Sequence, residues 1–197
     1  MPYNIVDPNN PDSVGINPFA YDNPLQTANV IIHALNSMYQ GTLDDMQKVY
    51  TENVVAQAIE NLCVLLKVTF PILYDGHKDY LPTLEDILGV LSNFSLVEKF
   101  CKVLEMDENL AKEYSSQLFY FKNTFFSDAP KRQETEKCMQ YAASVINDLL
   151  TYSGVKNIIC NRTNNINFED ALANGELTFV CTRRGDLGNL LVYFSYY

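Results

Sequence analysis

The chain has no tryptophan and only two histidines among its 197 residues. His33 and His77 therefore offer few candidates for a general base, and each is expected as a surface or satisfied core residue. Basic residues are scarce as well: 14 Lys and Arg stand against 24 Asp and Glu, a formal charge of −10. A firm grip on DNA or RNA requires phosphate neutralisation by Lys and Arg, so this chain is not expected to supply one. An acidic surface keeps a protein soluble and steers basic partners. The phosphate-binding patterns G-x-x-x-x-G-K-[ST] and G-x-G-x-x-G are missing, as are G-x-S-x-G and H-E-x-x-H. A triphosphate site needs backbone donors and a lysine at the phosphates, so the chain alone is not expected to hydrolyse ATP. No catalytic, cofactor-binding or metal residue is assigned, and no partner-binding residue can be named.

The longest apolar stretch, Val54 to Leu73, is interrupted by Gln57, Glu60, Asn61 and Lys67. It reads as a central buried helix rather than a membrane span. Met1 is followed by polar, Pro-rich sequence without the pattern of a signal peptide, and a cytoplasmic location is expected. Cys63, Cys101, Cys138, Cys160 and Cys181 form no C-x-x-C pair. An odd count at wide spacing fits reduced, mostly buried thiols and not zinc ligands. Asp44-Asp45 and Glu85-Asp86 are adjacent on helices, where neighbours point apart, so neither pair is expected to share an ion. Helix-start charge explains Glu85 and Asp86. Lys131-Arg132 reads as a solvated helix start. Arg183-Arg184 follows a predicted strand, where it is either solvated or faces a nucleotide, DNA or a neighbouring subunit.

What the chain does have is a helical middle between two β-like ends. Tyr3 to Val6 reads as a strand. Asn23-Pro24 opens a helix, with Asn as cap and Pro at the first helical position. Val30, Ile31, Ala34, Leu35 and Met38 form its apolar stripe, and Gly41 marks its end. A second helix spans about 51–74, apolar almost all round, with Pro71 expected to kink or end it. Thr83 and Asp86 form a capping box, and Ser95 and Glu98 are expected to form another. A single amphipathic segment is expected over 108–126 and a long helix over 131–152, closed by Gly154. Lys156 to Cys160 then reads as a short strand. Asn167 caps a helix over 168–173 that Asn174-Gly175 ends. Leu177 to Thr182 reads as a buried strand, and Asn189 to Tyr197 as a last helix.

These readings give a mainly α fold: a single domain over 1–197, a helical bundle over 24–153, and flanks 1–23 and 154–197 forming a small β element. Tyr3–Val6 and Leu177–Thr182 are expected to lie close together as parts of one sheet.

The flanks carry an ordered set of short signals: Val6-Asp7-Pro8, Asn17-Pro18-Phe19, the Phe168–Ala173 segment, Asn174-Gly175, Leu177–Thr182 and Gly185-Asp186-Leu187-Gly188. In order and sense this set resembles the conjugative coupling proteins of type IV secretion, hexameric ATPases related to DNA-pumping motors. There, a strand ending in Asp-Pro and an Asn-Pro pair lead out of the motor sheet into a helical insertion, and the chain returns through the later signals. The resemblance implies that 24–153 is the all-α domain at the cytoplasmic entrance of the hexamer. That domain is implicated in recognising a relaxase, relaxosome accessory proteins or secreted effectors. The Walker residues would lie outside this chain, so none is carried over and no cofactor is expected. The assembly ATPases of the same systems have similar flanking motifs. On that alternative, the helices serve motor mechanics or oligomer contacts. An independent small helical enzyme would need a polar pocket that the sequence does not announce.

Overall fold

A computed structural model describes residues 2–38, 45–74, 80–125 and 129–181. The longest helix organises the rest. It spans Asp45–Leu73 (α2), beginning upstream of the expected Thr51, and Ala58, Ile59, Leu62, Cys63, Leu65 and Leu66 along it are wholly buried. Burial on several sides follows from apolar residues that are not confined to one stripe. Each such Leu or Ile contributes about 1.5–3 kcal/mol relative to an exposed position. The segment Val49–Leu73 has the length and hydropathy to cross a membrane, and here it packs against neighbouring helices. Pro71 falls in its last turn, where the helix stops two residues later.

Pro24–Met38 (α1) lies along α2, with Ile31, Ala34 and Leu35 buried. Asn23 caps it as expected, its Oδ1 accepting from the Leu25 amide at 2.9 Å. Leu84–Ser92 (α3) starts from the Thr83–Asp86 capping box. Ser95–Glu105 (α4) packs on α2 but lacks the second expected box: Phe94 occupies the cap position without a side-chain bond. Asn93 does that work, its Oδ1 accepting from the Ser95 amide at 3.2 Å and from Oγ at 2.7 Å. The two-residue link between α3 and α4 brings Asn93 close enough to serve the next helix.

The segment expected as one helix over 108–126 is three pieces. Glu108–Glu113 (α5) and Ser115–Tyr120 (α6) meet at Tyr114, and Phe121–Phe125 forms a π turn. The wider turn buries Phe121 and Phe125, whose rings sit 5.7 Å apart beside Phe94 and Tyr120. Ala129–Leu150 (α7) packs on α2 and α3.

Residues 153–159 correct two expectations. Instead of a breaker and a strand, Ser153–Ile159 is a helix (α8) with Gly154 inside it. Val155, Ile158 and Ile159 are buried at helical spacing, one face of a single turn. A five-residue segment is too short for its period to separate strand from helix, and packing against α7 decides it. Gly154 is needed for proximity: a Cβ there would overlap the Pro8 carbonyl. Phe168–Ala173 (α9) is capped by Asn167 and followed by Gly175 at φ +66°, as read from Asn-Gly. The Gly41 helix end, the turn that the Asp75-Gly76 pair signals, the Gly185-Asp186-Leu187-Gly188 segment, Arg183-Arg184 and the helix expected over 189–197 lie outside the described residues.

Tyr3–Val6 (β1) and Leu177–Val180 (β2) pair in parallel, in register Tyr3 with Leu177 through Val6 with Val180. The described residues are thus mainly helical, nine α-helices with one two-stranded parallel sheet. The two β-like ends meet, as expected.

The flanks are sewn to each other and to the bundle by backbone bonds. The Gly15 amide donates to Asn164 O at 2.7 Å, Ile16 to Ile158 O at 3.0 Å, and Ile166 to Gly15 O at 3.0 Å. A Cβ on Gly15 would stand 2.5 Å from Asn165 Oδ1 and 2.9 Å from Ile158 O, so only glycine permits this approach.

Candidate functional site

The β pair is the most unusual surface of the molecule. Parallel strands normally lie buried between layers, and an isolated pair is marginal in water. Here Tyr3 is 63% exposed and Phe179 54%. Their rings meet edge to face, centroids 6.3 Å apart. The register places Tyr3, Ile5, Leu177 and Phe179 on one face of the pair. Leu177 and Val180 are also exposed, and Leu172 on neighbouring α9 is 82% exposed. The expected buried strand is therefore a strand with apolar composition but little cover.

The two edges differ. On β1, Ile5 O accepts from the Val14 amide at 3.2 Å, so the following loop closes that side. On β2, the amides of Leu177 and Cys181 donate to Pro2 O and Val6 O. By the alternation of a parallel ladder, the backbone groups of Thr178 and Val180 face away from β1. The surroundings are acidic: Glu176 Oε2 accepts from Asn4 Nδ2 at 2.9 Å, and Glu169 and Asp170 sit in the first turn of α9.

In the seam between the flanks, Asn17 is 1% exposed and fully engaged. Its Nδ2 donates to Pro82 O at 2.8 Å and Asn161 O at 3.0 Å. Its Oδ1 accepts from the Phe19 amide, capping the 3₁₀ turn Pro18–Ala20. Its own amide donates to Asn165 Oδ1 at 3.0 Å. One residue on, Pro18 O accepts from Thr27 Oγ1 of α1 at 2.8 Å. Phe19 O accepts from Lys67 Nζ of α2 at 3.3 Å, and burial holds that ammonium's pKa below its usual value despite the opposing charge of Asp22. A cavity of about 130 Å³ opens beside this turn, between Tyr21, Gln26 and the start of α9 at Asn167–Glu169.

A second junction centres on Arg162. Its guanidinium donates to Leu81 O at 2.9 Å and to both oxygens of Asp86, at 2.8 and 3.2 Å. It also lies 4.7 Å from the centroid of the Tyr80 ring. Burial works against this charge, but the bonds and charge of Asp86 outweigh it, and the pKa is raised. Nothing in the sequence marked Arg162 as a contact residue: its partners lie 76 and 81 positions away.

The paired charges separate in space. Asp86 serves the capping box and Arg162, whereas Glu85 pairs with Lys156 at 2.7 Å. Arg132 pairs with Glu136 one turn along α7 at 2.9 Å. Lys122 and Glu105 form another surface pair. His33 lies on α1, and His77 and Asp44 lie outside the described residues. Among the described residues, no three of His, Cys, Asp and Glu converge as metal ligands. Cys63, Cys101 and Cys138 are buried, Cys160 and Cys181 partly so, and all five thiols are free. Burial pushes Cys63 far above the ordinary thiol range and raises Cys101 and Cys160 to about 11. Such thiols are protonated at neutral pH and are poor nucleophiles.

Comparison of the chain with protein-family profiles, with curated proteins and with solved structures gives no match.

Proposed function

We propose that the chain is a non-catalytic recruitment module of a conjugative DNA-transfer coupling protein, binding a relaxase or relaxosome accessory protein. The observation that carries this reading is the parallel β1–β2 pair. Strands from the two ends of the described chain pair in parallel, Tyr3 with Leu177, and present apolar side chains to solvent. A pair of this kind is what a larger parallel sheet leaves when a helical insertion is viewed with only its attachment strands. The order of Asp-Pro, Asn-Pro and Asn-Gly signals at those strands supports the same assignment.

On this reading the motor chemistry lies in other parts of a hexameric, cytoplasmic ATPase. The helical body meets the transfer substrate, and the charge of −10 selects basic protein surfaces over DNA. Titration of the chain with relaxosome proteins and with duplex DNA tests it. Binding to a basic relaxosome protein that weakens with salt, with no binding to DNA, is expected. Tight, salt-sensitive DNA binding without protein binding would overturn the charge argument.

A further inference from the structure

We propose that the cavity between the Pro18–Ala20 turn and the start of α9 is a receptor site for one cationic side chain, the guanidinium or ammonium end of an arginine or lysine on a partner protein. The cavity has about 130 Å³. A cavity of ~150 Å³ takes one benzene, so this space suits a side-chain end and is too small for a nucleotide. Two carboxylates line it from different segments: Asp22 follows the turn, and Glu169 stands in the first turn of α9. Among the described lining residues there is no Lys, Arg or His. Lys67 feels the charge of Asp22, but its ammonium is held at Phe19 O. Beside the carboxylates the wall carries apolar surface from Ile16, Ala20, Ile166 and Phe168. Burial, and after it the charge of Glu169, raises the Tyr21 phenol, so the Glu169 charge reaches the Tyr21 side of the cavity.

That lining selects a class of ligand. An anion would meet two carboxylates. The first turns of α1 and α9 border the cavity, and helix starts attract anions. Their amides are already occupied, however. Leu25 donates to Asn23 Oδ1, Gln26 and Thr27 to Asn23 O, and Glu169 and Asp170 to Asn167 Oδ1. A bare divalent cation such as calcium needs about six oxygen ligands. Among the described residues, no three His, Cys, Asp or Glu side chains converge. A neutral apolar group would leave both carboxylates unanswered. An alkyl stem that ends in a cation answers both halves of the wall. Its methylenes lie on Ile16, Ile166 and Phe168, and its head meets Asp22, Glu169 and the Tyr21 ring. The walls are fixed before a ligand arrives. Asn17 caps the turn, Thr27 Oγ1 donates to Pro18 O, and the Asn17 amide donates to Asn165 Oδ1. Little ordering entropy then opposes binding. The inference stands on the cavity and not on the recruitment reading.

The test is an NMR titration of the whole chain with blocked arginine and with its uncharged isostere, blocked citrulline. Blocked arginine should shift resonances of residues 16–26 and 166–169 saturably, at roughly millimolar concentration, as suits a single side chain. Asp22→Asn and Glu169→Gln should each weaken it roughly two- to fivefold, the range of exposed ion pairs, and together about tenfold. Blocked citrulline should bind about tenfold more weakly to the native chain. Both substitutions keep the fold, because the bonds that shape the site run through the Glu169 amide and not through either carboxylate. Unchanged resonances in α2 check this. Equal affinity for arginine and citrulline, shifts spread over the whole acidic surface, or no loss in the double variant overturns the site. Butylguanidinium separates a free small cation from a protein side chain. The tripeptide Gly-Arg-Gly, blocked at both ends, should bind as well as butylguanidinium does, and binding of butylguanidinium alone overturns the assignment to a partner protein. The recruitment reading is tested separately, by relaxosome binding, and survives a negative result here.

Discussion

The helix α2 and the strand β2 are both apolar segments, and they meet opposite fates. Leu62 and its neighbours on α2 are wholly buried, closed in by α1, α4 and α7. Leu177, Phe179 and Val180 on β2 remain exposed. The middle of α2 is covered on all sides, whereas Val49, Tyr50, Ile72 and Leu73 at its ends and most of the β pair are exposed. The contrast separates a buried helix centre from a bare strand pair, and substitutions in the two places should differ sharply.

The largest effect is expected in α2. Leu62→Ala leaves a cavity at the centre of the bundle and should cost about 2–5 kcal/mol, measured by chemical unfolding. Next comes the seam between the flanks. Gly15→Ala forces a methyl against Asn165 and Ile158, and about 1–3 kcal/mol of destabilisation is expected from the same measurement. Both flanks share the bundle's core through Val6, Ile16, Phe19, Val155 and Ile158, so a loss well below about 1 kcal/mol would contradict the tight seam at Gly15.

Alkaline titration probes the bundle differently. Burial, with the nearby Glu105 charge, raises Cys101 from 9.0 to about 11, and burial is also the main cause for Cys160. A folded-state pKa above the unfolded one favours the folded chain fully below pH 9. That contribution is lost as pH rises through about 11. Stability should therefore fall across this window, and Cys101→Ala should flatten part of the fall in a pH series of unfolding curves.

At the small end lie the surface sites. Phe179→Ala should change unfolding stability by less than about 1 kcal/mol, because it removes little buried area. Glu85→Gln breaks the half-exposed pair with Lys156 and should cost about 0–1 kcal/mol, less at high salt. If Phe179→Ala instead matched Leu62→Ala, the contrast between the buried helix centre and the bare strand pair would fail.

Legibility in the sequence followed the same division. Tyr3–Val6, the Thr83–Asp86 box and the Asn167-capped helix were readable because their signals are local: β-branched runs, and caps two or three residues from their targets. The pairing of β1 with β2 came from the order of motifs, not from local pattern. Lys156–Cys160 misled because five residues fit strand and helix alike, and contacts with α7 chose the helix. The break at Tyr114 and the π turn at 121–125 depend on seating Phe121 and Phe125 in the core, which no spacing announces. Asn17 was visible as part of Asn-Pro-Phe, but its partners at Pro82, Asn161 and Asn165 are set by tertiary approach through Gly15. Arg162 was hidden for the same reason.

The central proposal is that the helical body chooses the transfer substrate while the strands belong to a motor sheet. Its most direct test is removal of residues 24–153 from the motor protein that carries them, with ATP hydrolysis, hexamer formation and substrate choice measured together. The account predicts that hydrolysis and hexamers persist while discrimination among relaxosome substrates is lost. Loss of hexamers or hydrolysis, with substrate choice intact in whatever activity remains, would contradict it.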